Sequence, residues 1–286
     1  MIKDFDALSQ EAERVVRSME LPPCPAILAK LVREMRNDEP DLKRFDALIS
    51  SDMGLAAALL KTVNSPFYGL QRKATSIRQA LAVTGLVNAM QLVTGLLLRQ
   101  VFPVGASAQM EELWEYSGGI ARASTCLARH VRGLDRDMAH TFGLFRDCGM
   151  IGMLSTFKDY RLVHLASDAG AGLLTDGEVE RYGIHHGMAG FRLAREWFLP
   201  DPVCQAVRWH HDYVALQDGQ ASFAPPAKVL IALALAAEHA YAQHVRGSAS
   251  GEWSRHGAFA LEQLGMEEAD LEAAMPEVIE ALQEAP

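Results

Sequence analysis

The residues best equipped for chemistry are histidines. His185-His186 and His210-His211 form two adjacent pairs, with Asp147 upstream of both and Glu238 downstream. Imidazole and carboxylate donors drawn from several helices are how helical proteins build divalent-metal sites. Neighbours on a helix point about 100° apart, however, so an adjacent pair on a helix cannot aim both rings one way. Ten histidines in 286 residues is a modest number, and hydrogen-bonded core or solvated imidazoles account for them without a metal. Nucleophile chemistry has less support: the chain contains no G-x-S-x-G elbow, P-loop or G-x-G-x-x-G run. Cys148 follows Asp147 inside GLFRDCGMIGML, surroundings that bury a thiol rather than activate it.

The elements that must position these groups read as helices almost throughout, with no sustained period-2 alternation. Ile27, Leu28, Leu31, Val32 and Met35 mark one helical face behind Pro25. Further helices are expected over Leu42–Ser50, Gly54–Asn64, Ile77–Thr84, Val87–Phe102, Gln109–Val131, Ala139–Phe157, Glu178–Trp197, Val203–His211 and Lys228–Val245, with one or two more in Ala258–Leu282. Ser76 with Gln79 and Thr175 with Glu178 have capping-box spacing. Asp201-Pro202 supplies an N-cap followed by a proline suited to the first turn. In Asn64-Ser-Pro-Phe-Tyr-Gly69 the first two side chains can bond exposed backbone, Pro66 stops the helix and Gly69 permits positive φ. Phe67 and Tyr68 are expected to anchor this loop rather than to dock a partner. The stretch from Phe102 to Ala108 is the clearest punctuation, and a loop is expected at Gly247–Gly251. The expected organisation is an N-terminal helical subdomain over 1–105 and a second over 106–286.

Composition narrows the classes of function. With 27 basic and 36 acidic residues the net charge is −9, which disfavours a nucleic-acid or anionic-membrane surface. Cys24, Cys126, Cys148 and Cys204 form no CxxC pair and all read as buried apolar residues in helical surroundings. MIKDFDALSQEAERV has no apolar h-region, and the apolar run Leu86–Phe102 is short and broken by Asn88, Gln91 and Arg99. A cytoplasmic protein without a membrane span is the expectation.

Several segments together resemble the HDOD (HD-related output domain) family. They are Leu21-Pro-Pro-Cys-Pro25, Asn64-Ser-Pro-Phe-Tyr-Gly69, Thr75-Ser-Ile77 followed by Gly85-Leu86, and Gly143-Leu-Phe-Arg-Asp-Cys-Gly149. Tyr182-Gly-Ile-His-His186, Trp197-Phe-Leu-Pro200 and Val207-Arg-Trp-His-His211 complete the order, which covers about 21 to 240. The resemblance implies an all-α protein, an N-terminal short-helix bundle packed on an HD-like helical core. It also implies a regulatory role in bacterial signal transduction, related to HD-type metal phosphohydrolases but lacking part of their ligand set.

The departures fall on the ligands. By that resemblance Tyr116 and Arg146 stand where the hydrolases place histidines, Asp147 keeps the aspartate of the His-Asp pair, His186 with His210 or His211 match later histidines, and Glu238 takes the last acidic position. A guanidinium has no lone pair for a metal, and a divalent ion about 4 Å away at an effective dielectric of 20 would meet roughly 8 kcal/mol of repulsion. The expectation is therefore a non-catalytic module with no metal and no cofactor, acting through a protein or nucleotide partner. Arg146 either pairs with Asp147 or Glu238 in place of the metal, or snorkels to solvent. Two rival readings remain: a phosphohydrolase with a rearranged metal on Asp147, His186, His210 and His211, and a nucleotide sensor with Arg146, Arg208 or His210 facing phosphate.

Overall fold

The computed structural model describes residues 10–19, 21, 23–65, 68–101, 108–160, 174–217, 223–247 and 250–283, and among these there is no strand. The chain is all-α. Its helices are α1 Gln10–Ser18, α2 Ala26–Met35, α3 Leu42–Ser50, α4 Met53–Val63, α5 Ile77–Val101, α6 Ala108–Leu127, α7 Arg136–Phe145 and α8 Gly149–Thr156. After the next stretch come α9 Leu174–Tyr182, α10 His186–Glu196, α11 Asp201–Trp209, α12 Tyr213–Gln217, α13 Pro225–Arg246, α14 Gly251–Leu264 and α15 Glu268–Gln283.

Two compact units emerge, one of residues 22–104 with 196–199, the other of 1–21, 105–195 and 200–286. The expected boundary at 105/106 and most of the Phe102–Ala108 punctuation lie outside the described residues, as do Pro22, Pro66, Phe67 and part of the Gly247–Gly251 loop.

In the smaller unit α5 packs against α2, α3 and α4 around Leu28, Leu31, Phe45, Ile49, Leu55, Leu59 and Leu81, all buried. Helix α5 merges two expected helices across Gly85, whose φ of 75° and ψ of 163° make a kink that L-residues with a Cβ resist. The expected run from Leu86 is short, but it lies within a 25-residue helix that is long and apolar enough to cross a membrane by length and composition. Ala80, Leu81, Ala89, Leu92, Val93, Leu97 and Leu98 are buried, which accounts for that apolarity.

Asn64 caps α4 and clamps the following loop. Its Nδ2 donates to the Ala74 carbonyl at 2.9 Å and its Oδ1 accepts the Ala74 N–H at 2.7 Å, while Gly69 takes a φ of 57°. Asn64→Ala would leave both backbone groups of buried Ala74 without these partners. We expect a loss of about 2 kcal/mol in urea unfolding, against a few tenths for Ala at exposed Ser18. A loss no larger than that at Ser18 would mean water replaces the clamp freely.

The larger unit holds the histidines. Helix α6 packs on α7, α13 and α15, while α13 packs on α11 and α14. The capping signals need adjustment. Gln79 N–H donates to Ser76 Oγ at 3.3 Å, but the glutamine reaches back to the Thr75 N–H rather than to Ser76. Helix α11 begins at Asp201 with Pro200 as its N-cap. Cys24 is half-buried and outside any helix, contrary to expectation; the other three cysteines are buried.

Candidate functional site

Two helix breaks that periodicity does not show create the site. Ala139–Phe157 was expected to be continuous, but α7 ends at Phe145 and α8 starts at Gly149. Through the break the bonds tighten to i→i+3: Cys148 N–H to Phe145 O at 3.0 Å and Met150 N–H to Asp147 O at 2.9 Å. The consecutive residues Arg146 and Asp147 are consequently both buried, at 3% and 2% exposure. Glycines make the fit. A Cβ on Gly149 would lie 1.9 Å from the His186 carbonyl oxygen, and one on Gly143 would lie 2.7 Å from Ala121 Cα.

Glu178–Trp197 is likewise broken, at Gly183 with φ 75°. His186 begins α10 and is fully buried. The expected capping box of Thr175 and Glu178 does not form: Thr175 lies inside α9, and Glu178 turns into the protein. Its Oε2 accepts the His186 backbone N–H at 2.9 Å and His186 Nδ1–H at 2.7 Å, and its Oε1 accepts the Tyr160 hydroxyl at 2.5 Å. The cap is lost because a buried imidazole and phenol are stronger partners than one solvated N–H.

His210 and His211 follow the last turn of α11, where regular helical spacing no longer separates neighbours, and their ring centroids are 4.1 Å apart. His210 Nδ1 lies 2.9 Å from the Val207 carbonyl and His211 Nδ1 2.6 Å from Glu252 Oε1. Carbonyl and carboxylate oxygens only accept, so Nδ1 carries the proton in all three rings and each neutral ring presents an Nε2 lone pair. Those lone pairs converge. His186 Nε2 is 3.2 Å from His210 Nε2 and 3.5 Å from Asp147 Oδ1, which is 3.3 Å from His210 Nε2. The ligand atoms of Asp147, His186, His210 and His211 all lie within 4.8 Å of one another.

Arg146 is buried on the other side of Asp147. Its Nε is 3.7 Å from Asp147 Oδ2 and its Nη2 3.1 Å from Glu238 Oε2, so it pairs rather than snorkels. Tyr116 is buried, bonds Glu238 through its hydroxyl and packs edge-on against Tyr241 at 5.3 Å. All seven residues singled out from the sequence are thus gathered in this unit. Sequence reasoning missed Glu178 and Glu252, the carboxylates that orient two of the rings.

Burial works against every charge here, and the neighbours decide the outcome. For Asp147 burial is overcome by Arg146, His210 and His186, which hold its carboxyl well below the usual range. Glu178 is held at about 2 against burial, mainly by His186. Burial pulls His186 down, but Glu178 and Asp147 prevail and raise it. His210 and His211 are pushed down to about 3, chiefly by burial and a neighbouring imidazole. Glu238 is raised, burial outweighing Arg146.

A family model for the HDOD domain matches residues 21–213. The chain belongs to the HDOD domain family. The HDOD match stops short of Glu238 and Glu252, and is shorter than the 21–240 span read from the sequence. Three solved structures share the HDOD fold. An HDOD domain protein of unknown function from Geobacter sulfurreducens is 23% identical, with TM-score 0.68 and 96% of each chain covered. A Shewanella amazonensis SB2B protein named for phosphohydrolase activity is 19% identical, with TM-score 0.70, covering 95% of this chain and 94% of its own. A Marinobacter aquaeolei VT8 protein named for signal transduction is 19% identical, with TM-score 0.68, covering 96% of this chain and 60% of its own. An uncharacterized Treponema pallidum (strain Nichols) protein is 26% identical over 206 residues, and the match spans 38% of its length and 68% of this chain. At these identities the structural likeness speaks for the fold.

The resemblance to HD-type hydrolases implies a metal, and Asp147, His186, His210 and His211 could hold one ion. Donors about 2.1 Å from a tetrahedral metal lie about 3.4 Å apart, close to the 3.2, 3.3 and 3.5 Å separations among Asp147, His186 and His210, with the ligand atom of His211 within 4.8 Å of theirs. Each imidazole donates its other N–H to a carboxylate or carbonyl, the usual support of a ligating histidine. Asp147 Oδ1 and His211 Nε2 make no aligned hydrogen bond among the described residues. The expected repulsion from Arg146 is answered by four carboxylates, Asp147, Glu178, Glu238 and Glu252, of which Glu178 and Glu252 carry no signal in the sequence as site residues. Without a metal, the proton that Glu178 favours on His186 meets the same lone pairs.

The anchoring carboxylate has a pH signature. Glu178 ionises at about 2 rather than 4.5. A depressed carboxylate contributes stability above its unfolded value and loses it as pH falls through the folded one, here from about pH 4.5 to 2. The contribution at neutral pH is about 3 kcal/mol. Glu178→Gln is expected to flatten the acid limb of stability against pH, and an unchanged limb would mean that Glu178 is not held by His186.

Proposed function

We propose that this HDOD domain is a non-catalytic regulatory module of signal transduction, working through a bound protein or nucleotide partner, with one divalent ion as an internal cross-link. The observation that supports it is the buried Arg146, paired with Glu238 and Asp147 where the HD resemblance would place a ligating histidine. A second ion there would face a fixed guanidinium. Asp147, His186, His210 and His211 would hold the single ion. With four protein donors the ion would have no position left for a reacting water, as in structural rather than catalytic sites. What the ion supplies is Lewis acidity and positive charge; the protein's part is to orient the imidazoles through Glu178, Val207 and Glu252. The name of the Marinobacter protein agrees with signalling.

Purified without added metal, the protein is expected to carry about one transition-metal ion per chain by elemental analysis, and to show no turnover of nucleoside triphosphates, monophosphates or cyclic dinucleotides with magnesium, manganese or iron. Turnover lost in both Asp147→Asn and His210→Ala would overturn the non-catalytic reading in favour of the phosphohydrolase. That rival draws its support from the same converging donors.

A further inference from the structure

Two hydrogen-bonded chains built alike reach the histidine cluster. In one, the Tyr160 hydroxyl donates to Glu178 at 2.5 Å and Glu178 accepts His186 Nδ1–H at 2.7 Å. In the other, the Tyr213 hydroxyl donates to Glu252 at 3.0 Å and Glu252 accepts His211 Nδ1–H at 2.6 Å. The two are not equally braced. Glu178 also accepts the His186 backbone N–H at 2.9 Å, a main-chain bond that Glu252 lacks among the described residues.

The second chain ends on the most exposed of the four donors. The His211 side chain is 11% exposed, against 0% to 3% for His186, His210 and Asp147. It lines a cavity of about 250 Å³ in the same unit, and its Nε2 makes no hydrogen bond among the described residues. The orientation of its ring therefore depends on Glu252, and that of Glu252 on Tyr213.

Helix α14 supplies the seat for Tyr213. Glu252, His256 and Phe259 follow at i, i+4 and i+7, one face of that helix. The Tyr213 ring stacks on His256 with centroids 4.1 Å apart and planes at 14°, and meets Phe259 edge-on at 6.5 Å. The two rings fix the phenol plane, and the hydroxyl falls on the third member of the stripe, Glu252 Oε2. With that oxygen held, the carboxylate cannot turn toward solvent, and Oε1 stays on His211.

We propose that Tyr213 is a positioning residue for the fourth ligand of the cation set: through Glu252 it aims His211 Nε2 at the ion. This rests on the reading of Asp147, His186, His210 and His211 as a cation site. Helix α14 lies wholly beyond residues 21–213, so a segment outside the match to the family model completes the coordination. Tyr160 stands in the same relation to His186, but the backbone bond to Glu178 makes its hydroxyl less necessary.

The test is titration of the full chain, stripped by chelator, with cobalt(II), followed by visible absorption. Cobalt(II) absorbs strongly in a tetrahedral site and weakly in an octahedral one, so the spectrum reports His211 directly. Tyr213→Phe keeps the ring and its stacking. It should weaken cobalt(II) about tenfold, as loss of an outer-shell partner does, and lower the absorption at saturation. Tyr160→Phe should cost less than about threefold, because the backbone bond retains Glu178. Added to Glu252→Ala, Tyr213→Phe should change the affinity by less than about twofold, since the residue through which it acts is gone. Urea unfolding of the stripped proteins separates loss of fold from loss of the ligand. Unchanged affinity and spectrum in Tyr213→Phe, an equal loss in Tyr160→Phe, or a full tenfold loss in the Glu252→Ala background each overturn the inference while leaving the cation reading standing. A wild type that binds no cobalt(II) removes the cation reading and this inference with it.

Discussion

Arg146→Leu is expected to destabilise the protein by about 3–5 kcal/mol, the cost of stripping one partner from a buried ion pair. The side chain is 4% exposed, and it touches Glu238 at 3.1 Å and Asp147 at 3.7 Å. Burial already raises the Glu238 carboxyl with Arg146 opposing it, so removing the guanidinium drives it further toward the protonated acid. The penalty should then shrink as pH falls, because a carboxyl whose folded pKa exceeds its unfolded value is least costly where it is protonated in both states. Arg146→Leu with Glu238→Leu together should recover most of the loss, since an apolar pair of similar volume often replaces a buried ion pair at little cost. Urea unfolding of the four proteins forms a double-mutant cycle, and the coupling should exceed about 2 kcal/mol. Additive losses would mean that Arg146 packs but does not neutralise.

That cycle also bears on what the sequence could reveal. Helix α3 was expected over Leu42–Ser50 and forms there, because Asp41 caps it and Phe45 and Ile49 bury its one apolar stripe. The seven residues carried over from the resemblance do come together, Glu238 included, although it lies beyond the part that the family model matches. The breaks after Phe145 and Tyr182 were not legible. Apolar periodicity continues through both, and what breaks α7 from α8 is the close seat of Gly149 on the His186 carbonyl, a contact 37 residues away in sequence. Those breaks are the reason consecutive residues can both face inward, so the rule that adjacent histidines diverge failed where a helix ended. Glu178 was misread for a related reason. Its spacing from Thr175 is that of a cap, and only the fold supplies Tyr160 and His186 as better partners. Glu252 has no motif around it, and its place in α14 makes it the anchor of His211.

The last expected result converts one cation site into two. In wild type, the guanidinium of Arg146 and the phenol of Tyr116 both converge on Glu238, and Arg146 also faces Asp147 Oδ2. Tyr116→His with Arg146→His removes the fixed positive charge and adds two imidazole donors beside those two carboxylates. Calorimetric titration with manganese(II) or zinc(II) should change from one ion per chain to two. The second ion should bind about a hundredfold or more above any residual weak site, since each added imidazole is a direct ligand and the lost guanidinium was a repelling charge. Arg146→Ala alone lifts the repulsion without adding a donor, so it should gain much less and should carry the stability loss expected of Arg146→Leu. Stoichiometry fixed at one in the double variant would show that α6 and α7 hold these positions too far apart to share an ion. A wild type that binds none would show that a proton, rather than a metal, meets the lone pairs of His186 and His210.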